Sequence, residues 1–407
     1  MPKPPSKDDE SERETPLISA QRRSVLFTLM GAAALTACGG GSSAPAPVLA
    51  SSLSSGTPPT TPGSAPARLA LNGPSMLYQG KPIVLRGINE GTWGKMQSFD
   101  AGVIAGQGAT AVRVLIRWWG AYGRSGIDSR VDNPDNGNFE QGHLDRFLME
   151  IQWCLDAGLW VIPVIDSDCG QNGLQDAPTI AYCDPNKSYP LGHNFWTDPT
   201  QRAAFKQAWV HLAGILKNYP RIAFYELLPE PLGGHGPAYS PEVSAFYKEL
   251  MIAIEDQAGD KRTPFLIGAR DAYNINYCDE AYLDAPRWIN RVVYTGNLFI
   301  RTGGATVEEN IANLEERLGA LKNMRKKRNV PVFIQQLGVR SGDDPTQFYL
   351  DAALKRVTNA GIGYTGWQWR QNTSNRDEYA IVVEDADTGA DWTNWPVLNV
   401  YSRYWRA

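Results

Sequence analysis

Pro331-Val-Phe-Ile-Gln-Gln-Leu-Gly-Val339 runs from a proline through an apolar stretch, meets two glutamines, and closes on a leucine, a glycine and a valine. The run Pro331 to Ile334 has no polar side, the pattern of a strand buried on both faces. The glutamine pair marks where such a strand leaves the core and meets a functional loop. Seven further runs of this type occur, at Ile83–Asn89, Ala111–Ile116, Trp160–Ile165, Ile222–Leu227, Pro264–Ile267, Arg291–Tyr294 and Gly363–Trp369. Between them lie amphipathic stretches at Met96–Gln107, Gly142–Ala157, Thr200–Lys217, Pro241–Gln257, Val307–Arg325 and Thr346–Ala360. In Gly142–Ala157 the apolar positions Leu144, Phe147, Leu148, Ile151 and Leu155 follow helical spacing, and Asp198-Pro199 is a capping signal for the next helix.

Alternation of short apolar strands with longer helices, continued from residue 68 to the end, predicts a single (β/α)8 barrel. A doubly wound open sheet is the competing α/β architecture. It usually carries a glycine-rich phosphate loop after a strand, and none occurs here.

Ahead of the barrel the sequence changes character twice. Residues 1–23 are polar and charged and end in Arg22-Arg23; Val25 to Thr36 is a short apolar run rich in Ala and Leu. It is too short to span a bilayer and fits the apolar region of a signal peptide. The run closes on Leu35-Thr-Ala-Cys38 and then Gly39, which resembles a bacterial lipoprotein signal in which Cys38 is lipidated. The paired arginines also resemble a twin-arginine signal. Residues 39–67 are almost entirely Gly, Ser, Ala, Pro and Thr, and their lack of charge and too little apolar surface to offset the ordering entropy predict a disordered tether. The expected organisation is therefore a signal over 1–38, a linker over 39–67 and the barrel over 68–407. The expected location is the exported side of a bacterial envelope, held to a membrane through Cys38.

Composition narrows the partners. The chain of 407 residues is 43% hydrophobic and 20% charged with a formal net charge of -4, and no basic stripe suggests nucleic acid. Neither a Cys-x-x-Cys pair nor a histidine cluster points to a metal, and no motif implies a cofactor. His143 and His211 read as helix-surface or core residues. Cys169 and Cys183 flank a polar loop and are a plausible disulfide in an exported protein, while Cys154 and Cys278 either pair or stay buried. Most of the 13 tryptophans and 17 tyrosines are expected in the core, and because the flat C–H faces of sugars stack on aromatic rings, a fraction is expected to line a cleft.

In barrels of this kind the chemistry gathers at the C-terminal ends of the strands. Those ends carry Asn89-Glu90, Arg113 with Arg117-Trp118-Trp119, Asp166-Ser-Asp168, Pro229-Glu230, Arg270-Asp271, Asn297, Gln336 and Trp367-Gln-Trp369. Amides and charges that bond hydroxyl groups, together with aromatic faces that stack on sugar rings, suit a glycan cleft.

Five of these strands together resemble the family 5 glycoside hydrolases of the cellulase superfamily. Leu85-Arg-Gly-Ile-Asn89 is similar to the family's opening strand, Ala111-Val-Arg113-Val to its arginine strand, and Tyr225-Glu-Leu-Leu-Pro-Glu230-Pro231 to the strand ending in Asn-Glu-Pro. Pro331-Val-Phe-Ile-Gln-Gln336-Leu-Gly resembles the nucleophile strand, and Gly366-Trp-Gln-Trp369 the tryptophan of the last strand. The resemblance implies that Glu230 holds the acid/base position, that Arg113 braces the nucleophile, and that Trp367 or Trp369 is the platform under the reacting sugar. It further implies substrate contacts at Trp118, Asp166, Asp168 and Asn297, with a poly- or oligosaccharide as partner.

The chain departs from that pattern within one shell. Gln336 stands at the nucleophile position, Pro229 at the asparagine before the acid, Asp166 where a histidine is usual, and Asn297 and Phe299 where a His-x-Tyr pair is usual. An amide is a very poor nucleophile and carries no charge near neutrality. Three readings follow: glycan binding with the usual retaining hydrolysis lost; an inverting glycosidase with Glu230 as acid and Asp166 or Asp168 activating water; or a structural lipoprotein using the barrel as a scaffold. For the last, Trp392 and Trp395 suggest an apolar patch, though they equally suit a cap on the barrel bottom. Glu226 is read as a buried network residue, since four residues of strand put it about 13 Å below Glu230.

Overall fold

The computed structural model describes residues 66–91, 96–119, 133–167, 199–231, 240–304, 306–372, 379–385 and 387–407. Three short antiparallel strands come first: β1 (Ala70–Asn72), β2 (Ser75–Tyr78) and β3 (Lys81–Ile83). Gly73 (φ +52°) turns β1 into β2, and Gln79 and Gly80 (φ +51° and +76°) turn β2 into β3, which only residues tolerant of positive φ manage without cost. Then follow β4 (Arg86–Asn89), α1 (Asp100–Gly106), β5 (Ala111–Trp119), α2 (Gln141–Asp156), β6 (Trp160–Ser167), α3 (Pro199–Leu216), β7 (Tyr225–Glu226), α4 (Ser240–Ala253), β8 (Phe265–Gly268), the one-turn α5 (Arg270–Tyr273) and β9 (Val292–Thr295). The remainder is β10 (Leu298–Phe299), α6 (Val307–Arg328), β11 (Val332–Gly338), α7 (Phe348–Asn359), β12 (Gly363–Gly366), β13 (Arg370–Asn372), β14 (Val382–Glu384), β15 (Asp391–Thr393) and α8 (Trp395–Trp405).

Strands β4 to β9, β11 and β12 pair in parallel throughout, and the β12–β4 and β11–β9 pairings close them into an eight-stranded barrel. Alternate residues separate two apolar layers, as the period of a strand requires. Leu85, Ala111, Trp160, Ile162, Leu266, Val293 and Phe333 face the axis. Ile88, Val112, Val161, Ile267 and Ile334 face outward and join the apolar stripes of the helices.

The strip before the barrel plugs its lower end. Leu69, Leu71 and Met76 pack into the inner layer, and Tyr78 meets Trp160 edge to face at 5.1 Å between ring centres. Ile83, expected to open the first barrel strand, is instead the last residue of β3. The ladder to β5 begins only at Gly87, because the chain must first leave the plug. The expected strand Ile222–Leu227 contracts to two residues, with Ile222 making only isolated bridges, to Arg68 and to Val161 of β6. At the other end of the sequence, the backbone N–H groups of Trp369 and Arg370 bond the carbonyls of Asn89 and Glu90, so β13–β15 sit above the strand ends. Asn394 reinforces this by bonding Ser341 beyond β11 at 3.2 Å. Trp392 and Trp395 are 61% and 59% exposed on that side, and they do not cap the barrel bottom.

Helix α6 shows how local sequence sets the elements. Thr306 caps it by accepting from the Glu309 N–H at 3.1 Å while the Glu309 side chain reaches back, and Arg325 to Arg328 face the negative end of its dipole. Asn329 ends it in the left-handed conformation (φ +52°).

Candidate active site

Two buried groups organise the barrel interior below the mouth. Arg113 on β5 donates to both oxygens of Glu226 on β7, at 2.5 and 2.9 Å, and to Asn89 Oδ1 on β4 at 2.8 Å. Both members of the pair are essentially inaccessible to solvent. Burial opposes the charge on Arg113, but Glu226 beside it more than offsets this and holds the guanidinium above its usual range. The Glu226 carboxylate is fully engaged, so it forms a network inside the barrel and is not a base at its mouth. Asn89 passes the bracing on: its amide donates to the carbonyls of Gln335 and Gly366 at 2.9 Å each.

Glu230 lies four residues beyond Glu226, past the end of β7, on backbone that no ladder holds. Side chains hold it instead. Trp209 donates to the carbonyl of Leu227 at 2.8 Å, and Tyr273 and Tyr247 donate to that of Leu228 at 2.5 and 3.3 Å. Glu230 itself takes φ +47°, a conformation that costs a non-glycine residue about 1 kcal/mol and turns the carboxyl toward β9. There Asn297 Nδ2 donates to Glu230 Oε1 at 2.5 Å. Burial pushes the Glu230 carboxyl up to about 7; Asn297 and Arg113 pull against that, while Asp166 and Glu226 add to it. An acid so placed holds or releases a proton near neutrality, as general acid–base work requires.

Strand β11 supplies what the sequence reading half missed. Ile334 pairs with Tyr364 and Leu337 with Gly366, so three steps along β11 match two along β12. The extra residue is a bulge at Gln335–Gln336. Phe333 belongs to the inner layer, while Ile334 and Leu337 both belong to the outer core. Two residues between outward-facing neighbours leave both glutamines on the axial side. Gln335 donates through Nε2 to Asn297 Oδ1, completing a chain Gln335–Asn297–Glu230, and its Oε1 is enclosed without a partner. Gln336 is 5% exposed; its amide makes no hydrogen bond among the described residues and is not among the enclosed polar atoms without a partner, so it opens toward the mouth. The only sequence signal for Gln335 was its adjacency to Gln336, since strict alternation would turn one of the two outward.

Asp166 has the same parity as Trp160 and Ile162 on β6, so it faces the axis, near enough to Glu230 to raise it. Trp367 is half-buried at the end of β12, and the Trp367–Gln368 peptide is cis. Gly338 leaves room beside it: an added Cβ would stand 3.0 Å from the Trp367 carbonyl and 3.0 Å from the Tyr379 ring, a tight contact on both. Trp369 is 2% exposed within the outer core, so it offers no face to a sugar; of the two tryptophans considered as platform, Trp367 is the more exposed. Phe299 packs against Tyr379 at 5.3 Å. Cys154 and Cys278 are buried and unpaired. Among the described residues no three His, Cys, Asp or Glu side chains converge as a metal site. Cys38, Asp168, Cys169, Cys183, Asp198 and the linker up to residue 65 lie outside the described residues, as does the side chain of Trp118.

The profile of the Cellulase family, glycosyl hydrolase family 5, matches residues 76–373. The chain belongs to glycosyl hydrolase family 5. Solved structures agree on the fold. Thermotoga maritima Cel5A, crystallised with mannotriose, is 18% identical with a TM-score of 0.57, covering 78% of this chain and 97% of its own. The cellulose synthase subunit Z of Clostridioides difficile is 16% identical with a TM-score of 0.56, covering 78% and 99%. An endogalactoceramidase is 16% identical with a TM-score of 0.64, covering 83% and 84%. At such identities the likeness speaks for the barrel alone. No curated protein matches the sequence.

Proposed function

We propose that this family 5 member is an exported, lipid-anchored protein that binds a poly- or oligosaccharide at the barrel mouth without forming a covalent glycosyl-enzyme. The observation that carries this reading is the pairing across the mouth: a carboxyl near neutrality at Glu230 and, on β11, amides at Gln335 and Gln336. Double displacement needs an ionised carboxylate about 5–5.5 Å from the acid. Glu226 is spent on Arg113, and an amide does not attack an anomeric carbon. Relatives support a sugar ligand: Thermotoga maritima Cel5A binds mannotriose and cellobiose, and a Streptomyces thermolilacinus β-mannanase binds mannohexaose. Export and anchoring rest on the apolar run before Cys38 and the uncharged tether after it. Isothermal titration with β-glucan, mannan and exopolysaccharide fragments tests the reading, and silence across that panel refutes it.

The inward-facing Asp166 favours one second reading, an inverting hydrolase with Glu230 as acid and Asp166 activating water. That requires carboxyl groups about 6.5–9.5 Å apart with water between them. Inverted anomeric configuration in the first product, read by proton NMR, would select it.

A further inference from the structure

The mouth holds an acid but presents no carboxylate on β11, so a nucleophile opposite Glu230, if it is not water activated by Asp166, arrives with the sugar. We propose that the ligand is a glycan of 2-acetamido sugars and that Gln336 orients the acetamido group so that its own carbonyl oxygen attacks the anomeric carbon. This rests on the reading of the mouth as a glycan site and names the class of sugar it takes. The geometry supplies each role. The bulge turns the Gln336 amide to the axial side with no partner among the described residues, leaving a carbonyl oxygen to accept and an N–H to donate. Both are what a secondary amide on the substrate offers in return. Pro229, immediately before the acid, brings no polar side chain to compete for that group. Gln335 and Asn297 hold Glu230 from the β9 side.

Hydrolysis then balances without an enzyme nucleophile. A lone pair of the acetamido carbonyl forms the bond to C1, and the electron pair of the glycosidic C1–O bond leaves with the departing oxygen, which takes the proton of Glu230. The positive charge passes to the acetamido nitrogen in an oxazolinium ring, whose N–H the Gln336 Oε1 accepts. Water next adds to C1 and gives its proton to the Glu230 carboxylate, while the ring C1–O bond breaks and its pair returns to the amide. The product retains configuration, as in other glycosidases that use the substrate in this way. Arg113 and Glu226, locked together beneath, and Asp166, whose charge helps keep the proton on Glu230, take no bond-making part.

Two matched comparisons test this on the whole protein. Titration with chitotetraose against cellotetraose changes only the C2 substituent. Titration with the thiazolines of N-acetylglucosamine and N-acetylgalactosamine, stable mimics of the oxazolinium ring, against the parent sugars is independent of linkage. We expect at least one thiazoline to bind tenfold or more tightly than its parent sugar, the preference to vanish in Gln336→Leu, and any cleavage to proceed with retention. Gln336→Glu, close to isosteric, keeps the comparison open if the leucine variant does not fold; its charged acceptor should hold the cationic ring N–H at least as well, so the preference should persist or grow, and its loss there would overturn the inference. Cellotetraose binding with no preference for either thiazoline overturns the inference and leaves the glycan-binding reading standing. Silence from every sugar overturns both, and inversion of configuration overturns the acetamido route in favour of Asp166.

Discussion

Glu230 gives the sharpest quantitative test, because its protonation is tied to folding. In the unfolded chain its carboxyl titrates at its ordinary 4.5, and in the folded barrel burial moves it to about 7. Below 4.5 both states carry the proton and the barrel has its full stability. Between 4.5 and 7 the unfolded chain has released the proton while the folded one still holds it, so stability falls as pH rises; above 7 the loss is complete. At about 1.36 kcal/mol per pH unit the loss is about 3 kcal/mol, a ceiling because the side chain is only half-buried and partly screened. For a barrel of this length the unfolding entropy is about 0.7 kcal/mol per kelvin, so the melting point should drop by about 4–5 °C over that range. Glu230→Gln keeps the shape and a hydrogen bond to Asn297 but removes the titration. Melting by circular dichroism in half-unit steps from pH 4 to 8 should show the wild type losing those degrees relative to the variant. Every other carboxylate, Glu226 included, remains in both proteins and cancels. Two curves parallel within about 1 °C would mean that Glu230 is not held protonated, and the acid assignment would fall with it.

Three further outcomes follow from the same geometry. Asn297→Ala removes the hydrogen bond that favours the charged form of Glu230, worth about 1.5–3 kcal/mol to a charged acceptor, so the carboxyl should rise about 1–2 pH units further, measured by carbon-13 NMR on glutamate-labelled protein. Glu226→Leu strands the Arg113 cation in the barrel interior and should cost about 3–5 kcal/mol in urea unfolding; a loss below about 1 kcal/mol would show that the pair is not buried as described. Gln336→Glu alone should not yield robust reducing-sugar release from β-glucan or mannan, since Pro229, Asp166 and Asn297 leave a hexose poorly placed and misplacement by about 1 Å costs on the order of a hundredfold in rate. Turnover at the rate of an ordinary cellulase in that single variant would contradict this account.

The barrel was legible because burial on both faces writes each strand as a continuous apolar run, and each of the eight expected runs falls within a few residues of a barrel strand. The fourth run shows the limit. Nothing in Ile222 to Leu227 tells that only Tyr225 and Glu226 join the ladder, because Trp209, Tyr247 and Tyr273, brought from elsewhere in the chain, take over the backbone of Leu227 and Leu228. Trp367 and Trp369 are equally plausible platforms on paper. They part only when folding buries Trp369 in the outer core and leaves Trp367 half-buried. The lower plug went unread because its three strands are too short to carry a periodic signal, although the turn at Gln79-Gly80 was there to be seen.

Residue identity alone established that a neutral amide stands at the end of the seventh barrel strand and a carboxylic acid after the fourth, since chemical type needs no coordinates. Direction was beyond it. A single extra residue in β11 turns Gln335 and Gln336 to the same side, and a left-handed backbone at Glu230 aims the acid at Asn297. Both depend on hydrogen bonds between strands far apart in the chain, and no local pattern encodes a partner that folding has yet to bring near.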